Sequence, residues 1–202
     1  MKVTKEIPDI SRGGILSFDY IVVTTKNIPD VRLTVADIIA PAVTPGRTTI
    51  ALCQNGLNIE KPITLRFPTN PVISSVVFTG ALETLHGKVH SNDPDTQKIG
   101  PFFSPRVPTH VAENAARRYI AIYNPTGELD ITFDSEVAGS RWRKLAYNSS
   151  FNSVFAILRM DSSRMRMNRY IIDDLIIPII REIRACAEAR GVNNFGLCCR
   201  TI

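Results

Sequence analysis

Phe18-Asp19-Tyr20-Ile21-Val22-Val23-Thr24-Thr25 is a short β-branched run, the pattern of a strand buried in a parallel sheet. The segments downstream of it decide the fold. Pro29 to Ile39 reads as a helix stopped by Pro41, and Thr48-Thr49-Ile50-Ala51-Leu52-Cys53 as the next strand, ending in Gln54-Asn55-Gly56. Asn58 to Leu65 makes a brief helix. Pro71 to Thr79 is another apolar β-branched run, continuing through Gly80 towards a hairpin with Lys88-Val89-His90. Strands alternating with helices predict βαβ units and a mostly parallel sheet, an α/β fold.

Beyond Gly100 the character changes. Val111 to Tyr123 is an amphipathic helix broken at Asn124-Pro125-Thr126-Gly127, and Leu129 to Phe133 is a last strand. From Glu136 the chain reads as helical to about Met160, and again from about Ser163 to Arg190. Gly191 supplies the C-cap, and Pro178 predicts a kink or break inside the second helix. The expected layout is an α/β portion over 1–134 and a helical portion over 135–202.

Composition sets bounds on the function. With 202 residues, 44% hydrophobic and 21% charged, the chain is long enough for a sizeable core and excludes disordered and disulfide-scaffold classes. Lys+Arg 24 against Asp+Glu 19 leaves a net charge of +5, with the basic residues scattered. That balance suits an anionic small ligand and gives no nucleic-acid signature, so none is expected as a partner. Cys53, Cys186, Cys198 and Cys199 have no CxxC spacing, which points to a reducing compartment. The opening MKVTKEIPDISRGG lacks a secretory apolar core, and Ile171–Ile180 is broken by Asp173, Asp174 and Pro178. The expectation is a cytoplasmic protein with no membrane partner.

One constellation carries chemistry. Lys144, Asn148 and Asn152 recur every four residues, and each such step advances a helix by only about 40°, so they form one stripe. Phe151 and Phe155 project on the same side, with Ser149, Ser150 and Ser153 opposite, which places the polar stripe on the core-facing side. Inward-facing Asn and Lys suggest a polar cleft, since buried polar groups need partners. The bland alternative is structural hydrogen bonding to a neighbouring helix or loop. A second feature is Asn55, directly after an apolar strand, where ligands of open α/β sheets gather. Lys26 holds the matching position after the preceding strand. For Asn55-Gly56 the bland alternative is a plain turn. His86 and His90 lack further ligands nearby, so no metal is expected. The sequon Asn148-Ser149-Ser150 falls inside a helix and is expected to be unused. Asp173-Asp174 reads as a solvated face.

FDYIVVTTK, CQNGLN, VVFTGALE…HGKVH…IGPF and WRKLAYNSSFNSVFAIL, in this order over about residues 18–192, resemble the ketopantoate reductase (2-dehydropantoate 2-reductase) family. The resemblance implies a partial Rossmann-like, doubly wound parallel sheet followed by a smaller all-helical C-terminal domain. It also implies NADPH-dependent reduction of a small-molecule 2-keto acid, ketopantoate to pantoate. In that reading Lys144 protonates the developing alkoxide, Asn148 and Asn152 hold the substrate, Asn55 lies beside nicotinamide and substrate, and Lys26 lies on the cofactor side. NADPH rather than NADH is implied by the family alone, and homodimerisation is left open.

The sequence also departs from the family. No GxGxxG turn occurs, and Gly13-Gly14 precedes the first strand without opening a helix. The resemblance therefore implies truncation at both ends. At the front at least one βαβ unit of about 30 residues is missing. At the back, so are helices that carry a substrate-binding serine and a catalytic carboxylate, for which Glu182 lies too early. The tail from Asn193 to Ile202 does not resemble the family and is open to a splice or gene-model origin. Impaired activity is the expectation. The alternatives are a non-catalytic fold remnant that binds other proteins, and a gene-model fragment of an intact reductase.

Overall fold

The computed structural model describes residues 3–13, 16–28, 30, 33–91, 93–161, 164 and 167–192. The chain divides into two compact units, Met1–Val137 and Ala138–Ile202.

In the first unit, among the described residues, the main sheet is built from β1 (Tyr20–Val23), β2 (Thr49–Leu52), β3 (Val72–Val77), β6 (Thr96–Phe102) and β7 (Asp130–Phe133), in the order β1-β2-β3-β6-β7. β1–β2, β2–β3 and β6–β7 are parallel, while β3–β6 is antiparallel. β4 (Ala81–Leu85) and β5 (Lys88–Ser91) form a separate hairpin. Strand alternation explains why helices cover both faces. Ile50 and Leu52 of β2 join Val23 and Val72 under α1 (Val35–Ile39) and α2 (Glu60–Arg66), with Ile39 and Ile63 as the helical contribution. Ala51 points the other way and joins Ile73, Ile99 and Ile131 under Ala116 and Tyr119 of α3 (Thr109–Tyr123). The sheet is doubly wound, as the family resemblance implied, and three of its four pairings are parallel, in line with the alternating pattern.

The structure corrects the strand pairing. The run Pro71 to Thr79 does not pair with Lys88-Val89-His90. Its antiparallel partner is β6, and residues 88–91 pair with 81–85 instead. β6 escapes a pattern reading because Thr96-Gln97-Lys98 is polar and Gly100-Pro101 reads as a breaker. Pro101 lies beyond the last β7 pairing, at Ile99↔Phe133, where a missing amide is tolerated. The helix expected over Pro29 to Ile39 is shorter. Leu33 and Thr34 are not helical, α1 starts at Val35, and Thr34 and Asp37 cap it reciprocally. Pro29, Val31 and Arg32 lie outside the described residues.

In the second unit, α4 (Val137–Tyr147) runs into a π-turn (Asn148–Asn152) and α5 (Ser153–Leu158), which ends at the left-handed residue Arg159. After it come α6 (Arg169–Ile171), a second π-turn (Ile172–Ile176) and α7 (Ile177–Ala189). Pro178 does not break this path. It stands in the first turn of α7, and the wider π-turn just before it moves the carbonyls that its ring would strike. Gly191 closes α7 as expected. Its amide donates to Glu188 O at 2.9 Å, and the Val192 amide to Ala187 O at 3.0 Å, the paired bonds of a Schellman cap. Phe151 and Val154 pack on Ile176 and Ile180, and Ala146 lies with Ala187, flanked by Trp142, Ile183 and Val192. Ser163, Cys198, Cys199 and the tail from Asn193 lie outside the described residues. No described helix is long and apolar enough to cross a membrane.

Candidate active site

The carboxyl ends of β1 and β2 lie side by side, because the strands are parallel and in register from Tyr20↔Thr49 to Val23↔Leu52. The Cys53 amide extends the ladder by donating to Val23 O at 3.0 Å. Gln54 then turns inward, is buried, and donates from Nε2 to Thr25 O at 2.7 Å and to Thr25 Oγ1 at 3.2 Å. This one side chain ties the loop carrying Lys26 to the turn carrying Asn55. Lys26 and Asn55 themselves are exposed. Gly56 has φ +120, a conformation that side-chain-bearing residues rarely adopt, which explains its place in the turn.

Glu60, the first residue of α2, is buried with its carboxylate accepting from Ser74 Oγ. Across β3 and β6 lies a second polar cluster. Asp95 accepts from Tyr123 Oη at 2.7 Å, from Gln97 Nε2 at 2.9 and 3.1 Å, and from Thr79 Oγ1 at 3.1 Å. Burial alone would raise the Asp95 pKa, but these hydrogen bonds together hold it below the usual carboxylate range. Tyr119, whose hydroxyl shares a hydrogen bond with Cys53, is pushed far above the usual phenol range, chiefly by burial. Gln54, Glu60 and Asp95 were not singled out by sequence reasoning. Gln54 was visible only as part of a turn, and Asp95 stands in Asn92-Asp93-Pro94-Asp95, which reads as loop.

On the second unit, Asn152 Nδ2 donates to Asn148 Oδ1 at 3.3 Å, so these two residues do share a side of the helix. Lys144, one turn earlier, is half-buried. Burial, and after it the positive charge of Arg141, lowers the Lys144 pKa below the usual lysine range. Such an ammonium releases its proton to a developing alkoxide more readily than an exposed lysine would.

The placement of the stripe needs correction. The buried side of this helix carries Ala146, Ser150, Phe151 and Val154, and Ser150 is fully buried rather than opposite the core. Asn152 is exposed and Asn148 half-buried, so the stripe flanks the core side instead of coinciding with it. The reason is angular. Phe151 and Phe155 lie at the near edge of the buried side, whose centre falls towards Val154. Among the described residues no cluster of three or more His, Cys, Asp or Glu is placed to hold a metal ion.

Residues 6–103 match the family model of the ketopantoate reductase PanE/ApbA, and residues 136–196 match that of its C-terminal region. An uncharacterized protein of Saccharomyces cerevisiae is 32% identical over 193 residues, covering 87% of this chain and 53% of its own length. The chain thus spans about half the length of that curated relative. The crystal structure of 2-dehydropantoate 2-reductase from Geobacter metallireducens GS-15 superposes with TM-score 0.72 at 25% identity, covering 89% of this chain and 56% of that one. The ternary structure of D-mandelate dehydrogenase with NADH and anilino(oxo)acetate gives TM-score 0.70 at 16% identity, over 87% of this chain and 53% of that one, a likeness of fold. Taken with the order of strands and helices, these matches mean that the chain belongs to the ketopantoate reductase family.

Proposed function

We propose that the chain carries the substrate chemistry of a cytoplasmic, NADPH-dependent 2-oxo acid reductase acting on ketopantoate or a related 2-keto acid. The observation that carries this reading is the half-buried Lys144, its pKa lowered, one turn before the hydrogen-bonded pair Asn148 and Asn152. When bound, the nicotinamide cofactor supplies the hydride. Lys144 aims a cation at the ketone oxygen and gives up the proton as negative charge builds there. Asn148 and Asn152 present amides to the substrate's polar groups. Asn55, with Lys26 beside it across the Gln54 tie, serves the nicotinamide end.

The pyrophosphate end fits the described residues poorly. Anions are held at helix N-termini by free amides and a positive dipole end. The N-terminus of α1 is taken by the Thr34–Asp37 capping box, and that of α2 carries buried Glu60, so both present a carboxylate. The N-terminus of α3 follows antiparallel β6 and lies at the opposite edge of the sheet from Asn55. We therefore expect impaired cofactor binding by this 202-residue chain.

Two titrations test the reading. Oxamate, a 2-oxo acid analogue, is expected to shift the NMR signals of Lys144, Asn148 and Asn152, and to lose that effect in Lys144→Ala. NADPH is expected to give no saturable heat up to about 1 mM, a limit near −4 kcal/mol. Silence towards oxamate in the folded wild-type chain would overturn the substrate assignment. Saturable NADPH binding followed by ketopantoate turnover would overturn the impairment.

A further inference from the structure

The turn that carries Asn148 and Asn152 is not α-helical. It takes the wider π form, closed by the Ser153 amide donating to Ser150 O, and this widening displaces the carbonyl–amide pairs where the turn begins. On the buried side of a helix a displaced carbonyl needs another donor. Ser150 provides one. Its fully buried hydroxyl donates to Ala146 O at 2.6 Å and lies 3.4 Å from Tyr147 O. A serine bonded back to the preceding turn loosens and bends a helix, which favours the wide form over the regular one.

The width has a geometric effect on the residues it carries. In an α-helix a four-residue step drifts by about 40°. A wider turn takes more residues per revolution, so that drift shifts the other way and residues four apart stay on one side. Two pairs with that spacing meet here. Asn148 and Asn152 hydrogen-bond at 3.3 Å, and the Tyr147 and Phe151 rings stack with centroids 4.6 Å apart at 16°.

We propose that Ser150 is a positioning residue whose hydroxyl holds this π-turn, and through it sets Asn148 and Asn152 side by side on the Lys144 side of the helix. Its functional consequence rests on the substrate assignment above, whereas its structural content does not. The side chain touches no reacting atom and acts through the backbone.

The test compares Ser150→Ala with Ser150→Thr, which keeps the hydroxyl, in the full chain. In Ser150→Ala the amides of residues 148–153 are expected to exchange about tenfold faster, as loss of a buried hydrogen bond implies. The cross-relaxation between the Asn148 and Asn152 side-chain amides should vanish, and oxamate affinity should fall about tenfold by the same measure. Ser150→Thr should retain all three properties. If Ser150→Ala does not fold, Ser150→Cys, similar in size and a weak donor, takes its place with the same expected losses. A Ser150→Ala or Ser150→Cys chain with the wild-type Asn148–Asn152 contact and exchange rates would overturn the proposal. Should wild type ignore oxamate, the substrate assignment fails on its own, and the contact and exchange readouts still decide the role of Ser150.

Discussion

Gly100→Ala is expected to destabilise the protein by about 3 kcal/mol or more, the upper end of overpacking effects. Gly100 lies in β6 opposite Ser74 of β3. A Cβ built there would collide with the carbonyl oxygen of Asp134 and come within 2.9 Å of Val137 Cβ. The first obstacle is backbone, and it is pinned, because the Asp134 amide donates to Ile99 O at 2.9 Å. Relief would therefore disturb the end of β7 and the chain that leaves it. For a protein of this size the thermal midpoint should fall by roughly 6–12 °C. A melt within about 1 °C of wild type would mean that the Asp134 carbonyl yields without cost.

Asn70→Ala comes next, with an expected loss of about 1–3 kcal/mol. The Asn70 side chain is buried, donates to Thr44 O and Thr48 O, both at 2.8 Å, and accepts from the Gly46 amide at 3.3 Å. It is the internal brace of the turn that feeds β2. Thr48 Oγ1 continues that brace by accepting from the Thr44 amide at 2.9 Å and donating to Phe18 O at 2.8 Å. Alanine would leave the buried Thr48 carbonyl without its donor, although Thr44 O keeps the Arg47 and Thr48 amides, and such an orphaned group costs more than the bond itself contributes. Asn70→Asp should do no better, since a carboxylate cannot donate to two carbonyls. Urea unfolding provides the measurement, and a change below about 0.5 kcal/mol in the alanine variant would show that Asn70 braces nothing.

The features legible in the sequence were local. β1, β2, β3, α3 and the Gly191 cap followed from runs, periods and end signals contained in short windows. β6 was not legible, because its inward-facing Gln97 is polar for a reason lying elsewhere. Gln97 accepts from Ser75 Oγ at 2.6 Å and donates to Asp95, so the strand satisfies a polar network where a pattern reading looks for apolar residues. The same limit applied at the site. Lys144, Asn148 and Asn152 stood out by their spacing, but the wide turn beneath them did not, since helical periodicity assumes α geometry throughout. Gln54 could be quoted but not understood. Its partner, Thr25, is 29 residues away, and only the parallel pairing of β1 with β2 brings the two together.

The β4–β5 hairpin has a consequence for the covalent chain. Both strands are exposed throughout, and Leu82, Leu85 and Val89 are among the exposed apolar side chains. Two-stranded hairpins are marginal alone, so the peptide bonds near Lys88 should be the first that trypsin reaches. The cut pieces need not part. β3 belongs to one and β6 to the other, and they pair continuously from Val72↔Phe102 to Val77↔Gln97, with the bond from Thr79 to Asp95 closing the gap below. A nicked sample should therefore elute from a sizing column as a single species and separate only in denaturant. By the same reasoning, residues 1–88 and 89–202 made as independent polypeptides should reassemble on mixing, which makes this hairpin a natural split point at which the protein can be divided and rejoined.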